Sequence, residues 1–350
     1  MIGAGALGVL RDAGVLAGDR LHLPTSGTTA RPRTVVRTVD SWVDSFDPFT
    51  ASTGLTRDDD ILIPCPPHST LFLYGLAHAA HLGAPVSTLE RWSAREAAAA
   101  TKRCTAGHFT PPMLAAILPR LGGGHSLRTA IVAGAAVDEG LRRDAERLGV
   151  RVVDYYGAAE LSFVTIRGDG GVMRPFPAVD VELREGVVWA RSPWLSEGYA
   201  AGQAGPMRRD GGWATVGDLG RWGADGGLVV DGRGDGAVVV GGATVLPSDV
   251  AVVLTAVAGV REVAVVGLPS SDLGQVVGAV VVADPVVSVA DLRGHAAAVL
   301  AGTHRPVRYA LVDELPLAPS GKVDTAAVRA ILVEHSGGPT ADTAGRAVVP

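Results

Sequence analysis

Short valine-rich apolar runs alternate with longer stretches rich in alanine and arginine through much of the chain. Thr129–Ala133 reads as a strand, Asp138–Leu148 as a helix and Arg151–Tyr155 as the next strand. Such alternation predicts an α/β layer built on a largely parallel sheet. From Gly186 to Val230 the texture changes to short strands with many Gly and Trp residues, which predicts an antiparallel appendage. Gly232-Arg233-Gly234-Asp235-Gly236 follows. Glycine reaches backbone angles that other residues avoid, so this run reads as a flexible joint near Asp235. Beyond it Ala237–Val240 and Glu262–Val266 read as strands with a helix, Ser248–Val257, between them. Gln275–Val282 is a further strand, Ala290–Leu300 a helix, Val307–Val312 a strand and Asp324–Glu334 a last helix. The pattern thus predicts a large domain over residues 1–234, a small one over 235–335, and a disordered polar tail over 336–350.

Composition narrows the class. The chain has 350 residues, 47% of them hydrophobic and 19% charged, which suits a soluble globular protein of two domains. A formal net charge of -5 gives no overall attraction to nucleic acid or to an anionic membrane. No apolar run approaches the ~20 residues that span a bilayer, since the valine-rich stretch from Val276 to Val287 is broken by Gly278, Asp284 and Pro285. Two cysteines without a CxxC pair, Cys65 and Cys104, argue against a disulfide framework. With no basic-then-apolar leader at the N-terminus, the expected location is the cytoplasm.

Two segments invite a nucleotide. Gly3-Ala4-Gly5-Ala6-Leu7-Gly8 matches a dinucleotide-binding glycine pattern, but Met1 and Ile2 cannot form the strand that must deliver the chain to such a turn. It reads instead as a helix-leading terminus of small residues. Thr25-Ser26-Gly27-Thr28-Thr29-Ala30-Arg31-Pro32-Arg33 is the more informative run. Its hydroxyls and backbone N–H groups suit polyphosphate oxygens, and Arg33 supplies charge. Taken alone, it reads equally well as an ordinary Ser/Thr/Gly turn.

With its flanking motifs, this run resembles the phosphate loop of the adenylate-forming superfamily of acyl-CoA synthetases, nonribosomal adenylation domains and luciferases. Tyr155-Tyr156-Gly157-Ala158-Ala159-Glu160 is similar to the family's Tyr-Gly-x-Thr-Glu motif, and Thr215-Val216-Gly217-Asp218 to its Thr-Gly-Asp segment. Gly232-Arg233-Gly234-Asp235 with Gly241-Gly242 resembles the hinge and the Gly-rich loop beyond it. Pro319-Ser320-Gly321-Lys322 resembles the terminal Ser-Gly-Lys motif. These motifs stand in the family's order over residues 23 to 330, and the layout is close to that of the short o-succinylbenzoate–CoA ligases.

The resemblance implies a large domain of layered sheets and helices, abbreviated at its N-terminus, with a small mobile α+β C-terminal domain. It implies ATP-dependent activation of a small carboxylic acid as an acyl-adenylate, then transfer to the thiol of CoA or of a carrier protein's phosphopantetheine. Lys322 would bridge the acid and the α-phosphate, and Glu160 would hold Mg²⁺. Thr25, Ser26, Gly27, Thr28, Thr29 and Arg33 would cradle the phosphates, Tyr156 would stack on adenine with Gly157 in the same ATP site, Asp218 would accept from the ribose hydroxyls, and Arg233 would hold ribose or phosphate. His68, Gly134 and Ala135 would line the acid pocket. Asp235 would be the hinge, and Gly241 and Gly242 the thiol-side loop.

The sequence departs from the family pattern at Ala30, which adds a methyl in the phosphate loop, and at Ala159 and Ala318, each of which lacks a hydroxyl. A front abbreviated before the phosphate loop leaves one side of the large domain to be covered by a homodimer or by a smaller sheet. Two alternatives stand beside the CoA ligase: an adenylating enzyme that loads a carrier protein or an amine, and a non-catalytic nucleotide-binding paralogue. His78 and His81, three apart on a predicted helix, lack a third metal ligand, and Trp42, Trp92 and Trp194 read as packing residues.

Overall fold

A computed structural model of the chain describes residues 4–25, 33–64, 70–169, 171–233, 236, 238–240, 243–270 and 274–334. The alternation read between residues 129 and 155 forms the middle of a seven-stranded sheet. Its order is Arg174–Pro175, Ser162–Arg167, Arg151–Ala158, Thr129–Ala133, Ala106–Phe109, Ile61–Ile63 and Val86–Thr88. The last five run parallel. Ile61, Leu62, Ile63, Ala130, Ile131 and Val132 are all fully buried, which is why these strands read as unbroken apolar runs: the sheet is covered on both faces. Helices Thr70–Leu82, Ala94–Ala100, Pro111–Ile117 and Glu139–Arg147 lie between successive strands in the sequence. Asp138, read as the first residue of its helix, is instead the cap, its carboxylate accepting from the Leu141 amide at 2.9 Å.

The Gly- and Trp-rich stretch forms a six-stranded sheet. Val187–Arg191 pairs antiparallel with Asp180–Arg184, Trp213–Thr215 and Asp218–Trp222, and Leu228–Arg233 closes one edge. A third sheet, which the hydrophobic pattern did not announce, joins Leu16–Ala17, Arg20–Thr25, Arg33–Thr38 and Gly198–Tyr199. Thr25 pairs with Arg33, so the phosphate-loop run connects two antiparallel strands. Helix Ala4–Asp12 carries Gly5 and Gly8 of the N-terminal glycine pattern.

The chain divides into two compact units. One comprises Met1–Val230 together with Pro319–Lys322, the other Asp231–Ala318 and Val323–Pro350. The second unit is a five-stranded sheet in the order Ala243–Val245, Val238–Val240, Gly274–Ala283 and Val260–Ser270, with Arg308–Val312 parallel to Gly274–Ala283. Alternation along Gly274–Ala283 sorts its side chains. Val277, Ala279, Val281 and Ala283 pack with Val250, Leu254, Leu292 and Ala296 of helices Pro247–Thr255 and Val289–Val299. Val280 and Val282 pack on the other face with Val328 and Leu332 of helix Thr325–Glu334. At Gly278 a Cβ would lie 2.8 Å from both Leu268 and Leu332, so the helix approaches the sheet more closely than a side chain there would allow. Among the described residues no helix is long and apolar enough to cross a membrane.

Candidate active site

Ligands of parallel α/β sheets gather where the chain leaves the carboxyl ends of the strands. Two such exits, Thr110 after Ala106–Phe109 and Gly134 after Thr129–Ala133, converge here on Lys322. Gly134 turns with φ 92°, and a Cβ on it would lie 3.5 Å from Lys322 Cε and 3.7 Å from the Thr110 methyl. Thr110 Oγ1 donates to the Gly321 carbonyl at 2.6 Å. Gly321 itself has φ 77°, and a Cβ there would lie 2.7 Å from Met113 Cε. Ser320 is buried, whereas Lys322, Gly134 and Ala135 are exposed. The structure therefore brings together two residues 188 positions apart (322 − 134). It adds Thr110, whose only signal in the sequence was a hydroxyl at the end of an apolar run.

A third exit carries Glu160. Strand Arg151–Ala158 runs three residues beyond its predicted end and hairpins into Ser162–Arg167, with a register shift between Tyr156 and Gly157. A Cβ on Gly157 would sit 2.2 Å from the Ser162 carbonyl oxygen, so only glycine fits this bulge. Ser162 adopts φ 62°, where side chains other than glycine are strained. Glu160 is 5% exposed, and its carboxylate accepts from Tyr199 Oη at 2.7 Å. Its main-chain carbonyl accepts from the Ser196 amide at 2.9 Å. Arg37, fully buried and unremarked in the sequence, donates to the Ala159 carbonyl at 3.2 Å. Burial lowers its guanidinium to about 9, against the opposing pull of Tyr74 and Glu160.

The fourth piece is Asp218, 8% exposed at the start of its strand. Gly217 turns the chain into it with φ 82°, its amide donating to Thr215 Oγ1 at 3.0 Å. Tyr156 Oη donates to Asp218 Oδ2 at 2.7 Å. The resemblance assigns Tyr156 to adenine, and the hydroxyl adds a direct tie to the carboxylate assigned to ribose. Tyr156 and Glu160 sit on one hairpin, so the Asp218 and Glu160 carboxylates are tied to the same short segment.

Ser26, Gly27, Thr28, Thr29, Ala30, His68, Asp235, Gly241, Gly242 and the 336–350 tail lie outside the described residues. Of Thr25 and Arg233 the backbone alone is described. Arg33 opens the strand Arg33–Thr38. His78 is buried, with Nε2 2.8 Å from Thr50 Oγ1, and burial lowers it to about 3. Among the described residues, no group of three or more His, Cys, Asp or Glu is arranged to hold a metal. Trp42 and Trp194 are buried.

Residues 22–200 match the family described as AMP-binding enzyme, and residues 249–322 match the AMP-binding enzyme C-terminal domain. The chain is 31% identical over 346 residues to a probable 2-succinylbenzoate–CoA ligase of Mycobacterium tuberculosis, covering 92% of this chain and 87% of that one. It is 29% identical to an uncharacterized acyl-CoA ligase, YhfT, of Bacillus subtilis, covering 89% of this chain and 68% of that one. Among solved structures, amide bond synthetase McbA from Marinactinospora thermotolerans superposes with a TM-score of 0.72 at 28% identity, covering 86% of this chain and 68% of the other. A point variant of E. coli MenE with bound OSB-AMS gives 0.75 at 26% identity, covering 88% and 68%.

Proposed function

The chain belongs to the AMP-binding enzyme family, and from that premise we propose that it activates a small carboxylic acid with ATP and passes the acyl group to the thiol of CoA. The acid's carboxylate oxygen attacks the α-phosphorus, the bond to the bridging oxygen breaks, and pyrophosphate leaves with that electron pair. The thiol sulfur then attacks the acyl carbonyl, the bond to AMP breaks, and the thiol proton is released.

One observation carries this reading. Lys322 is held beside Gly134 and Thr110 at the carboxyl ends of the parallel strands, with its loop anchored by the 2.6 Å bond from Thr110 to Gly321. A cation there offsets the repulsion between carboxylate and phosphate and the charge that builds on the phosphoryl oxygens. Asp218, oriented by the Tyr156 hydroxyl, accepts from the ribose hydroxyls. Glu160 suits a magnesium ion: it is buried, its carboxylate has a neutral hydroxyl as partner, and no Lys or Arg among the described residues lies within 4.0 Å of it. Magnesium takes oxygen ligands and substrate phosphates, and when bound it supplies charge that neutralises the pyrophosphate. Arg33, the phosphate-loop residues and Arg233 contribute further phosphate and ribose contacts, and His68 with Ala135 completes the acid pocket. Asp235 serves as the hinge and Gly241-Gly242 as the thiol-side loop.

An amine acceptor is the second reading, favoured by the likeness to an amide bond synthetase. Pyrophosphate release with a panel of aromatic and aliphatic acids, alone and with CoA or amines, tests both. Acid-dependent release followed by a thioester with CoA is the expected result. An amide with no thioester would favour the second reading. No acid-dependent release from any member would sink adenylation and leave a nucleotide-binding protein.

A further inference from the structure

Arg37 is the largest fully buried side chain described in the chain, and no carboxylate among the described residues lies within 4.0 Å of it. Among those residues its guanidinium is satisfied by neutral oxygens alone. Nε donates to Ser41 Oγ at 3.0 Å, Nη2 to the Ser41 carbonyl at 3.2 Å and to the Trp194 carbonyl, and Nη1 to the Ala159 carbonyl at 3.2 Å. Its guanidinium carbon lies 5.9 Å from the centroid of the Trp42 ring. A buried charge costs far more than an apolar side chain of similar volume in the same space. Such a residue is therefore poor packing material, and its position says what else it does.

Two of its partners and its own strand bear on Glu160. Ala159 is the residue immediately before it. Trp194 lies two residues before Ser196, whose amide donates to the Glu160 carbonyl at 2.9 Å. Arg37 lies in strand Arg33–Thr38, which pairs with Gly198–Tyr199, and Tyr199 donates to the Glu160 carboxylate. The same strand begins at the end of the phosphate-loop run. A planar fork can bridge two carbonyls and a hydroxyl at once, which an ammonium on a flexible stem does less well.

We propose that Arg37 is a positioning residue for metal-dependent nucleotide binding: by bridging the Ala159 and Trp194 carbonyls it fixes the turn that presents Glu160, and it adds a buried positive charge behind that carboxylate. The inference rests on the reading of Glu160 as the magnesium ligand. Partners of this kind behind a metal-binding carboxylate set metal affinity without touching the metal.

The test measures ATP binding by the full-length chain without metal and with Mn²⁺ replacing Mg²⁺, the latter followed by electron paramagnetic resonance, with no acid present. Wild type is compared with Arg37→Met, Arg37→Lys, Glu160→Gln and the Arg37→Met/Glu160→Gln pair. Arg37→Met is expected to weaken Mn²⁺–ATP binding about tenfold while metal-free ATP affinity stays within about twofold. Arg37→Lys should fall between it and wild type, and the pair should lose less than the sum of the singles. Equal losses with and without metal would mark Arg37 as merely structural and overturn the inference. So would wild-type Mn²⁺–ATP binding in Arg37→Met while Glu160→Gln is weakened. Wild-type binding in Glu160→Gln would instead overturn the metal reading of Glu160, and the inference with it. If Arg37→Met does not fold, Arg37→Lys is judged by the same criteria, with a loss of about threefold confined to the metal-dependent arm as the expected result.

Discussion

The two units bury different things. Every polar or charged residue that is buried among the described residues lies in the first unit, from Arg37 and Asp59 to Asp154, Glu160, Asp218 and Ser320. The second unit is closed by Val, Ala and Leu on both faces of one sheet, with Tyr309 as the sole buried aromatic among its described residues. Buried polar groups must each find a partner or be costly, so the first unit is a network in which one side chain constrains the next. Asp154 shows this: Arg142 and Arg167 both donate to it, Arg167 at 3.0 Å. An aliphatic core makes no such demands. It can hold a sheet firmly, while the loop Pro319–Lys322 belongs by its contacts to the other unit.

The contrast breaks most visibly at Lys322. Lys322→Ala is expected to lower acid-dependent ATP–pyrophosphate exchange by about 100-fold or more. Because the side chain is exposed, the melting temperature should stay where it is. Exchange at the wild-type rate would remove this residue from the mechanism.

Leu254→Ala probes the opposite property. Leu254 is fully buried in the aliphatic core, so its truncation should cost about 3 kcal/mol in urea unfolding. ATP affinity of the folded protein should not change, and a weakened affinity would show that the second unit's core is coupled to the nucleotide site.

Acid should act on the first unit. Burial lowers His78 to about 3 and His108 to about 4, whereas an unfolded histidine titrates near 6.5. Both folded values are depressed, so the native state excludes protons that the unfolded chain binds. Stability is complete above about 6.5 and falls as pH drops toward the folded values. At pH 5 each residue accounts for roughly 2 kcal/mol of that loss. Urea midpoints at pH 7 and pH 5 measure it, and His108→Leu should remove about half of the difference, leaving the share of His78. An unchanged pH dependence in that variant would show that His108 is not responsible.

The smallest effect is expected at Tyr156. Tyr156→Phe removes the hydroxyl that donates to Asp218 at 2.7 Å, and the KM for ATP should rise about fivefold with kcat nearly constant. A fall in kcat with KM unchanged would place the hydroxyl in the chemical step instead.

Legibility in the sequence follows the same division. The second unit is legible almost element by element, because alternation along residues 274–283 and helical spacing in Val250/Leu254 and Val328/Leu332 encode burial locally. In the first unit the parallel strands were legible for the same reason. The sheet that joins Arg20–Thr25, Arg33–Thr38 and Gly198–Tyr199 was not, since Gly198–Tyr199 is only two residues long and pairs with a strand far earlier in the sequence. Among candidate site residues, Lys322, Glu160, Asp218, Tyr156 and Gly157 were marked by motif. Thr110, Tyr199 and Arg37 were not, because a threonine, a tyrosine and an arginine carry no signal until the fold brings them against a partner.

By itself the sequence determined the α/β alternation, the valine core beyond residue 236, the order of the motifs and the residue types able to handle phosphate and carboxylate. These are local properties: periodicity, turn chemistry and the charge of a side chain. Only the tertiary structure decided that Lys322 would lie beside Gly134, that Tyr156 would orient Asp218, and that a buried arginine would hold the turn carrying Glu160. Those are pairings across tens to hundreds of residues, set by which strands lie side by side and by the hydrogen bonds that buried polar groups make across the fold.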